Sequence, residues 1–237
     1  MKKKIIIFTA TYNESANIIK LIESIESLNL NLSLLIVDDN SPDNTGNIIQ
    51  NYNSNKIKIK LIKRPKKLGL DTAHKIAYDY ALENRYDYLV TMDADLSHDP
   101  IVIPEFIKNL SKHKFVIGSR YIKGGMCKMS WSRLFLSFYG NKFIKFVSGI
   151  ESSEFTTSYR GFNLAGLKNF ELKMVKSKGY SFFMETIFLL HKRNIIIKEI
   201  PIIFLDRQCG KSKISKLELF RTLFNLFKIK FYDSAKL

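Results

Sequence analysis

The chain of 237 residues contains little of what marks several classes of protein. Its only cysteines, Cys127 and Cys209, lie far apart and in no paired motif, which is typical of a reducing compartment and argues against a disulfide framework. No run of roughly 18 uncharged apolar residues is present, and the apolar run after the basic start is too short for a signal peptide. The glycine-rich phosphate loops G-x-x-x-x-G-K-[ST] and G-x-G-x-x-G are also missing. We therefore expect a cytoplasmic protein, or one attached to the cytoplasmic side of a membrane.

Acidic residues are scarce beside basic ones, with 22 Asp and Glu against 38 Lys and Arg and a net charge of +16. This surplus favours polyanionic partners such as nucleic acid, nucleotide phosphates or an anionic membrane. A solvated, lysine-rich surface would give the same count. Apolar residues make up 46% of the chain, enough to bury a core, and the length favours one large domain.

Histidine is rare, and its four copies are scattered along the chain as His74, His98, His113 and His191. This spread gives little support to a zinc site or to a histidine-based catalytic dyad. We expect these side chains at satisfied surface or boundary positions, away from the catalytic motifs.

Strand and helix signals alternate through the first half of the chain. Strands are predicted at 5–9, 32–37, 57–62, 88–92 and 115–118, and helices at 13/14–28, 43–52, 72–83 and 100–110. Repeated β–α units predict an α/β fold with a mostly parallel sheet flanked by helices. The second half is less regular: helices are predicted at 132–146, 180–192 and 216–232, and a strand at 195–204 in which Pro201 indicates an edge or a bulge.

Polar clusters follow the carboxyl ends of the predicted strands, where ligands bind in such sheets. They comprise residues 11–14, Asp38-Asp39, Asp93-Ala94-Asp95 and Arg120. Asp93 and Asp95 are two residues apart at a strand end, so their carboxylates point the same way and repel each other unless a cation lies beside them. Hard oxygen ligands suit Mg²⁺ or Mn²⁺, which also bind substrate phosphates.

Two other features leave alternatives open. Asp39 is placed to bind the ribose or base of a nucleotide, but Asp39, Asn40 or Ser41 would also serve as a cap for the helix that follows Pro42. Residues 120–150 hold six Lys or Arg and no acidic residue, with Arg133 and Ser137 on one polar face of a helix. An acidic metal pocket beside a basic rim fits a reaction between a metal-bound phosphate compound and an anionic second substrate. The alternative interpretation is a basic surface without a site.

The end of the chain predicts an amphipathic helix. Ser215 and Glu218 form a capping-box pattern, and the apolar stripe that follows comprises Leu217, Phe220, Phe224, Phe227 and Phe231. Such a basic helix either lies in a membrane interface or packs onto the domain. We expect a domain over 1–214 and this helix over 215–237.

With these residues in view, the chain resembles the family-2 inverting glycosyltransferases of the GT-A fold, and among them the polyprenyl-phosphate (dolichyl-phosphate) mannose synthases. The resemblance covers nearly the whole chain, because eight motifs follow one another in the right order. They are A-T-Y-N-E (10–14), V-D-D-N-S-P-D (37–43), G-L-D-T-A (69–73), M-D-A-D-L-S-H-D-P (92–100), G-S-R-Y (118–121), F-T-T-S-Y-R (155–160), K-G-Y-S-F (178–182) and D-R-Q-C-G-K-S-K (206–213).

The resemblance implies a role for each matching position. The nucleotide sugar, GDP-mannose in most of the family, would be bound by Ala10, Tyr12, Glu14, Val37, Asp39, Asp93, Ala94, Asp95, Lys178, Arg207 and Lys213. The Mg²⁺ or Mn²⁺ ion would be held by Asp93, Asp95 and Ser97, and the phosphate of the polyprenyl acceptor by Arg120, Arg133 and Ser137. Asp95, Arg120 and Arg133 would be the catalytic residues.

The acceptor implies a peripheral location at the cytoplasmic face of a membrane, with a membrane protein as a further partner. A second hypothesis keeps the fold but makes a saccharide hydroxyl the acceptor, which requires a carboxylate base such as Glu154 or Glu185. A third hypothesis, a non-enzymatic nucleic-acid-binding protein, is disfavoured by the acidic strand ends, and we expect no nucleic acid partner.

Overall fold

The computed structural model describes residues 3–206, 222 and 224–230. The strands of this part of the chain are β1 (Ile5–Thr11), β2 (Ser33–Asp38), β3 (Lys58–Lys63), β4 (Tyr88–Asp93), β5 (Phe115–Ser119), β6 (Met126–Lys128), β7 (Arg160–Asn163), β8 (Ile197–Pro201) and β9 (Ile203–Leu205). The helices are α1 (Ile18–Glu26), α2 (Thr45–Asn51), α3 (Leu70–Glu83), α4 (Ile103–Leu110), α5 (Trp131–Ser148) and α6 (Tyr180–Lys192). Short 3₁₀ turns cover Pro100–Val102 and Leu172–Met174, and residues 224–230 are helical.

The main sheet has seven strands in the order β3-β2-β1-β4-β7-β5-β8, and β6 and β9 form a separate pair. All neighbours in the main sheet are parallel except β7, which runs antiparallel between β4 and β5. The chain winds from β1 through β2 to β3 and then returns to place β4 on the other side of β1. The carboxyl ends of β1 and β4 therefore flank the point where the strand order reverses. The predicted α/β fold with a mostly parallel sheet is confirmed.

Helices cover both faces of the sheet because its central strands are apolar on both sides. Alternate residues of a strand point to opposite faces, so Phe8 joins one core cluster with Tyr78 of α3 and Phe182 of α6. Ile7 joins the other cluster, which contains Phe106 of α4 and the apolar side of α1. Two cores, one on each face, hold the strands and so fix the edge where the polar clusters lie.

Some predicted boundaries were wrong. α1 begins at Ile18 rather than at residue 13 or 14, because Asn13 adopts a φ of 63° and its backbone N–H donates to Ser41. The predicted strand 195–204 is divided between β8 and β9 at Ile202, whose N–H donates to the carbonyl of Ser119. The strands β6 and β7 were not predicted, since both are short and Gly161 of β7 carries no side chain to show a period.

The described residues of the terminal helix pack onto the domain in part. Leu226 and Ile229 are buried in the core cluster of Phe8, and Asn225 donates to Ser181 of α6 at 3.0 Å. Phe224 and Phe227 are exposed. The expected boundary at 214/215 and the capping-box residues Ser215 and Glu218 lie outside the described residues. Within the described ranges, no helix combines the length and the apolar character that crossing a bilayer requires.

Gly125 provides a test of the packing behind Arg120. A Cβ at this position would lie 2.6 Å from the carbonyl oxygen of Ser119 and 2.8 Å from the carbonyl carbon of Arg120. We expect Gly125→Ala to lower the free energy of unfolding by about 2 kcal/mol, since backbone cannot move aside as a flexible side chain can. Gly140→Ala is the matched control, because nothing lies within 4 Å of its Cβ and alanine favours a helix. Denaturant unfolding measures both, and equal stabilities would contradict the assigned packing.

Candidate active site

The polar clusters meet at the carboxyl ends of β1, β2 and β4. Ala10 of β1 pairs with Asp93 of β4 on one side and with Val37 of β2 on the other. Asp39 follows β2 directly, and its N–H donates to the carbonyl of Thr11 at 3.0 Å. Adjacent strands lie about 4.8 Å apart, so the expected nucleotide-binding positions and the Asp-x-Asp motif share one small region of the sheet edge.

Asp93 and Asp95 are held by different neighbours. One oxygen of Asp93 accepts a hydrogen bond from the Ser158 hydroxyl at 2.6 Å, and the side chain is partly exposed. Asp95 is buried, and its Oδ1 accepts from the backbone N–H and from the hydroxyl of Ser97, at 3.1 and 2.5 Å. Both carboxylates are therefore oriented by hydroxyl donors.

The expectation of surface or boundary histidines away from the motifs was wrong for His98, and His74 is likewise buried among Phe8, Phe182 and Phe183. His98 lies three residues after Asp95, within the matched segment 92–100, and is buried against Asp93, whose backbone N–H donates to Nδ1 at 3.1 Å. Nε2 lies 3.2 Å from the Thr157 hydroxyl, and because Nδ1 accepts, Nε2 carries the proton and donates. Burial lowers the pKa of His98, although Asp93 and Asp95 act in the opposite direction. His98 is thus neutral and supports Asp93. Its position in the matched segment 92–100 is the sequence feature that could have indicated this role.

The residues at this edge fit a hard divalent cation in ligand chemistry. Asp93 and Asp95 provide carboxylate oxygens, the donors that Mg²⁺ and Mn²⁺ prefer. Within residues 3–206, no group of three His, Cys, Asp or Glu side chains is placed to hold a metal alone. A two-carboxylate site of this kind leaves coordination positions for water and substrate phosphate. Ser97 is fully buried with its hydroxyl on Asp95, and its role as a direct ligand stays a prediction.

Asp39 forms a buried ion pair with Arg64, the residue that follows β3. Arg64 also donates to the hydroxyl of Thr72 at 2.5 Å and to the carbonyl of Gly69 at 3.1 Å. The alternative in which residues 39–41 cap the next helix is wrong, because the carboxylate of Asp43 accepts the N–H of Thr45 there. Arg64 was not predicted as part of the site, since the sequence does not tell which of many cations meets this carboxylate.

The other expected nucleotide-sugar residues differ in their surroundings. Tyr12 is partly exposed, with Nζ of Lys67 4.0 Å from the centre of its ring. Glu14 accepts a hydrogen bond from Asn17 at 2.8 Å. Lys178 is exposed in the segment before α6. Arg207 and Lys213 lie outside the described residues.

Arg120, which follows β5, forms a buried bidentate ion pair with Glu154. Its Nε and Nη2 donate to the two carboxylate oxygens at 2.7 and 2.8 Å, and Nη2 also donates to Thr156 at 2.9 Å. Burial alone would raise the pKa of Glu154, but Arg120 and the hydrogen bonds from Thr156 outweigh burial and lower it below the ordinary 4.5. The pKa of Arg120 is raised, because the attraction of Glu154 exceeds the effect of burial.

Arg133 and Ser137 lie on α5, close to the surroundings of Arg120. The phenol of Tyr121 donates to the Ser137 hydroxyl at 2.6 Å, and the Arg120 guanidinium lies over the Tyr121 ring at 5.0 Å. Arg133 forms a partly exposed ion pair with Asp206 at 3.6 Å. Tyr121 thus joins Arg120 to Ser137, whereas Arg133 contacts Asp206, the residue that follows β9.

One polar network connects this basic side with the Asp-x-Asp motif. Glu154 accepts from the N–H of Thr157, the Thr157 hydroxyl meets His98, and His98 supports Asp93. The next residue, Ser158, donates to Asp93 directly. Residues 154–158 therefore position the acidic and the basic parts of the site together.

Comparison with known proteins identifies the family of the chain. The sequence model described as "Glycosyl transferase family 2" matches residues 6–170. An undecaprenyl-phosphate mannosyltransferase of Micrococcus luteus is 31% identical over 213 residues, which cover 90% of this chain and 88% of that protein. A polyprenol monophosphomannose synthase of Mycolicibacterium smegmatis is 30% identical over 227 residues, which cover 94% of this chain and 86% of that protein.

Solved structures agree in fold. Glucosyl-3-phosphoglycerate synthase from Mycobacterium tuberculosis, crystallised with Mn²⁺, UDP and glucosyl-3-phosphoglycerate, has a TM-score of 0.64 at 14% identity, covering 96% of this chain and 80% of that chain. Mannosyl-3-phosphoglycerate synthase from Rubrobacter xylanophilus has a TM-score of 0.61 at 14% identity, covering 99% and 76%. From the sequence match and the shared fold together, the chain belongs to glycosyl transferase family 2 and is a glycosyltransferase with the GT-A fold.

Proposed function

We propose that this glycosyltransferase moves a mannosyl group from GDP-mannose onto the phosphate of a polyprenyl phosphate, with inversion and with Mg²⁺ or Mn²⁺ bound. One observation carries the proposal. Residues 154–158 connect the sheet edge that holds the Asp-x-Asp motif with the basic side of the site that holds Arg120. Its acceptor class follows that of the two relatives, which are similar over 90% and 94% of the chain. We further propose that the enzyme works peripherally at the cytoplasmic face of a membrane.

On the donor side, the proposed ligand is a nucleotide diphosphate sugar. Asp39, paired with Arg64, would bind the nucleoside, and Asp93 and Asp95 would hold the metal. When bound, the cation neutralises the charge that develops on the departing diphosphate. The hydroxyls of Ser158 and Ser97 donate to these two carboxylates, and His98 accepts the backbone N–H of Asp93, so all three contacts orient the pair without substrate.

On the acceptor side, a phosphate is already ionised at neutral pH and needs no strong base. Guanidinium groups bind phosphate oxygens in a fixed geometry, which suits Arg120 and Arg133 to this task. Glu154 is unsuited to act as the base that a saccharide hydroxyl requires, because it is fully buried, paired with Arg120 and lowered in pKa. Glu185 accepts the N–H groups of Lys176 and Ser177 and so holds the segment before Lys178. Because both carboxylates are engaged in other contacts and neither serves as a base, the proposed acceptor is a phosphate and not a saccharide hydroxyl.

The direct test is transfer of radiolabelled sugar into a lipid phase from a panel of nucleotide sugars, with and without Mn²⁺. We expect label in polyprenyl phosphate from GDP-mannose, and about 10²–10³-fold less in Asp95→Asn, because that variant loses a metal ligand. Asp87→Asn is the matched control, since Asp87 lies just before β4 at the opposite edge and pairs with Lys3. No label in the lipid phase from any donor would overturn the proposal.

Replacement of Arg133 separates acceptor from donor binding. We expect Arg133→Lys to raise the KM for polyprenyl phosphate about tenfold, because an ammonium group cannot bind two phosphate oxygens as a guanidinium does. The KM for the nucleotide sugar should stay unchanged. Arg193→Lys, at the end of α6, is the control. A change confined to the KM for the nucleotide sugar would contradict this prediction and show that Arg133 binds the donor instead.

Replacement of Glu154 tests the ion pair by its pH dependence. Because the folded-state pKa of Glu154 lies below 4.5, the pair stabilises the protein above pH 4.5 and loses this effect as the pH falls through the folded pKa. We expect Glu154→Gln to be about 3 kcal/mol less stable at pH 7, with the difference shrinking in acid. Unfolding curves across pH measure this. A stable variant that had lost all turnover would instead indicate a base.

A further inference from the structure

Helix α5 is apolar on its outward side as well as on the side toward the protein. The inward side buries Asn141, Ile144 and Val147, and Asn141 accepts the N–H of Phe155 at 2.8 Å. The outward side is mostly apolar, with Trp131 78% exposed and Phe146 85% exposed. At 3.6 residues per turn the exposed apolar side chains form one stripe along the helix, here called the aromatic face of α5: Trp131, Phe135, Leu136, Tyr139, Phe143 and Phe146.

This face is larger than the scattered exposed apolar residues that a protein surface normally carries. It extends along an 18-residue helix of about 27 Å, and the ring of Phe227 from the terminal helical residues lies 6.5 Å from Phe143 beside it. Aromatic rings that stay exposed along a whole helix indicate a surface that is covered in the working protein.

The charges around the face identify what covers it. α5 contains Arg133, Lys142 and Lys145 and no acidic residue, and the Lys142 ammonium lies 4.6 Å from the ring of Phe138. A helix with cations beside a broad apolar side is the pattern of helices that lie in the interface of an anionic bilayer. A second copy of the chain, with its net charge of +16, would bring like charge to these cations.

We infer that the aromatic face of α5 inserts into the surface of an anionic membrane and sets the helix parallel to it. Arg133 is partly exposed on the same helix, so it would lie within reach of the phosphate of an acceptor held in that membrane, and Ser137 follows one turn later. The inference deepens the proposed function, on which its account of the acceptor rests. It also assigns membrane contact to α5, whereas the sequence pattern offered such contact for the terminal helix as one of two alternatives.

The single tryptophan of the chain makes this face directly observable, because Trp131 stands at its start. We expect vesicles of phosphatidylcholine and phosphatidylglycerol to shift the Trp131 emission to shorter wavelength, and brominated acyl chains to quench it. Phe135→Ser/Phe146→Ser should bind these vesicles about tenfold more weakly, since two apolar side chains no longer enter the interface. Ile196→Ser is the matched control. Ile196 is 73% exposed and precedes β8, at the amino ends of the parallel strands, whereas the site lies at their carboxyl ends.

Three outcomes would overturn the inference: no change of Trp131 emission with vesicles, equal vesicle binding by the double variant, or the same blue shift on raising the protein concentration without vesicles. The last result would mean that a second copy of the chain covers the face. Transfer to a water-soluble, short-chain prenyl phosphate tests the proposed function alone, and the double variant should retain it while losing transfer to long-chain acceptor in vesicles. Quenching of Trp131 without transfer to either acceptor would refute the proposed function and leave the membrane contact standing.

Discussion

The buried ion pair between Arg120 and Glu154 is the constraint on which the rest of the site depends. Two charges removed from water are costly to bury, and the cost is offset only by close geometry and by further hydrogen bonds. Glu154 obtains these from Thr156 and from the N–H of Thr157. The carboxylate therefore does more than neutralise Arg120: it fixes the course of residues 154–158, which then carry Thr157 to His98 and Ser158 to Asp93.

The guanidinium of Arg160 also holds residues 154–158 in place. Arg160 is fully buried and donates to the carbonyls of Phe155, Thr157 and Phe183, at 2.9, 2.8 and 2.8 Å. Because β7 enters the sheet antiparallel between β4 and β5, the residues just before it arrive at the carboxyl ends of both neighbours. The topology thus brings one segment to the Asp-x-Asp edge and to Arg120 together, and Arg160 ties it to α6.

The positive charge of the protein has two different uses in this arrangement. Arg64, Arg120 and Arg160 are buried and orient carboxylates or backbone, so their charge contributes to order within the fold. The cations of α5 are at the surface, beside the solvent-exposed aromatic face of α5. In the proposed function the acceptor phosphate meets both kinds, because Arg120 belongs to the buried network and Arg133 to α5.

The sequence by itself determined the α/β fold, the family and the placement of Asp93 and Asp95 at a strand end, because apolar runs, periods and strand-end motifs are local signals. Only the tertiary structure decided which charges meet. With 38 basic and 22 acidic side chains, nothing local pairs Arg120 with Glu154 or Asp39 with Arg64, which lie 34 and 25 positions apart. The burial of His98 and the outward aromatic face of α5 were likewise decided by what packs against each residue, which a periodic pattern does not specify.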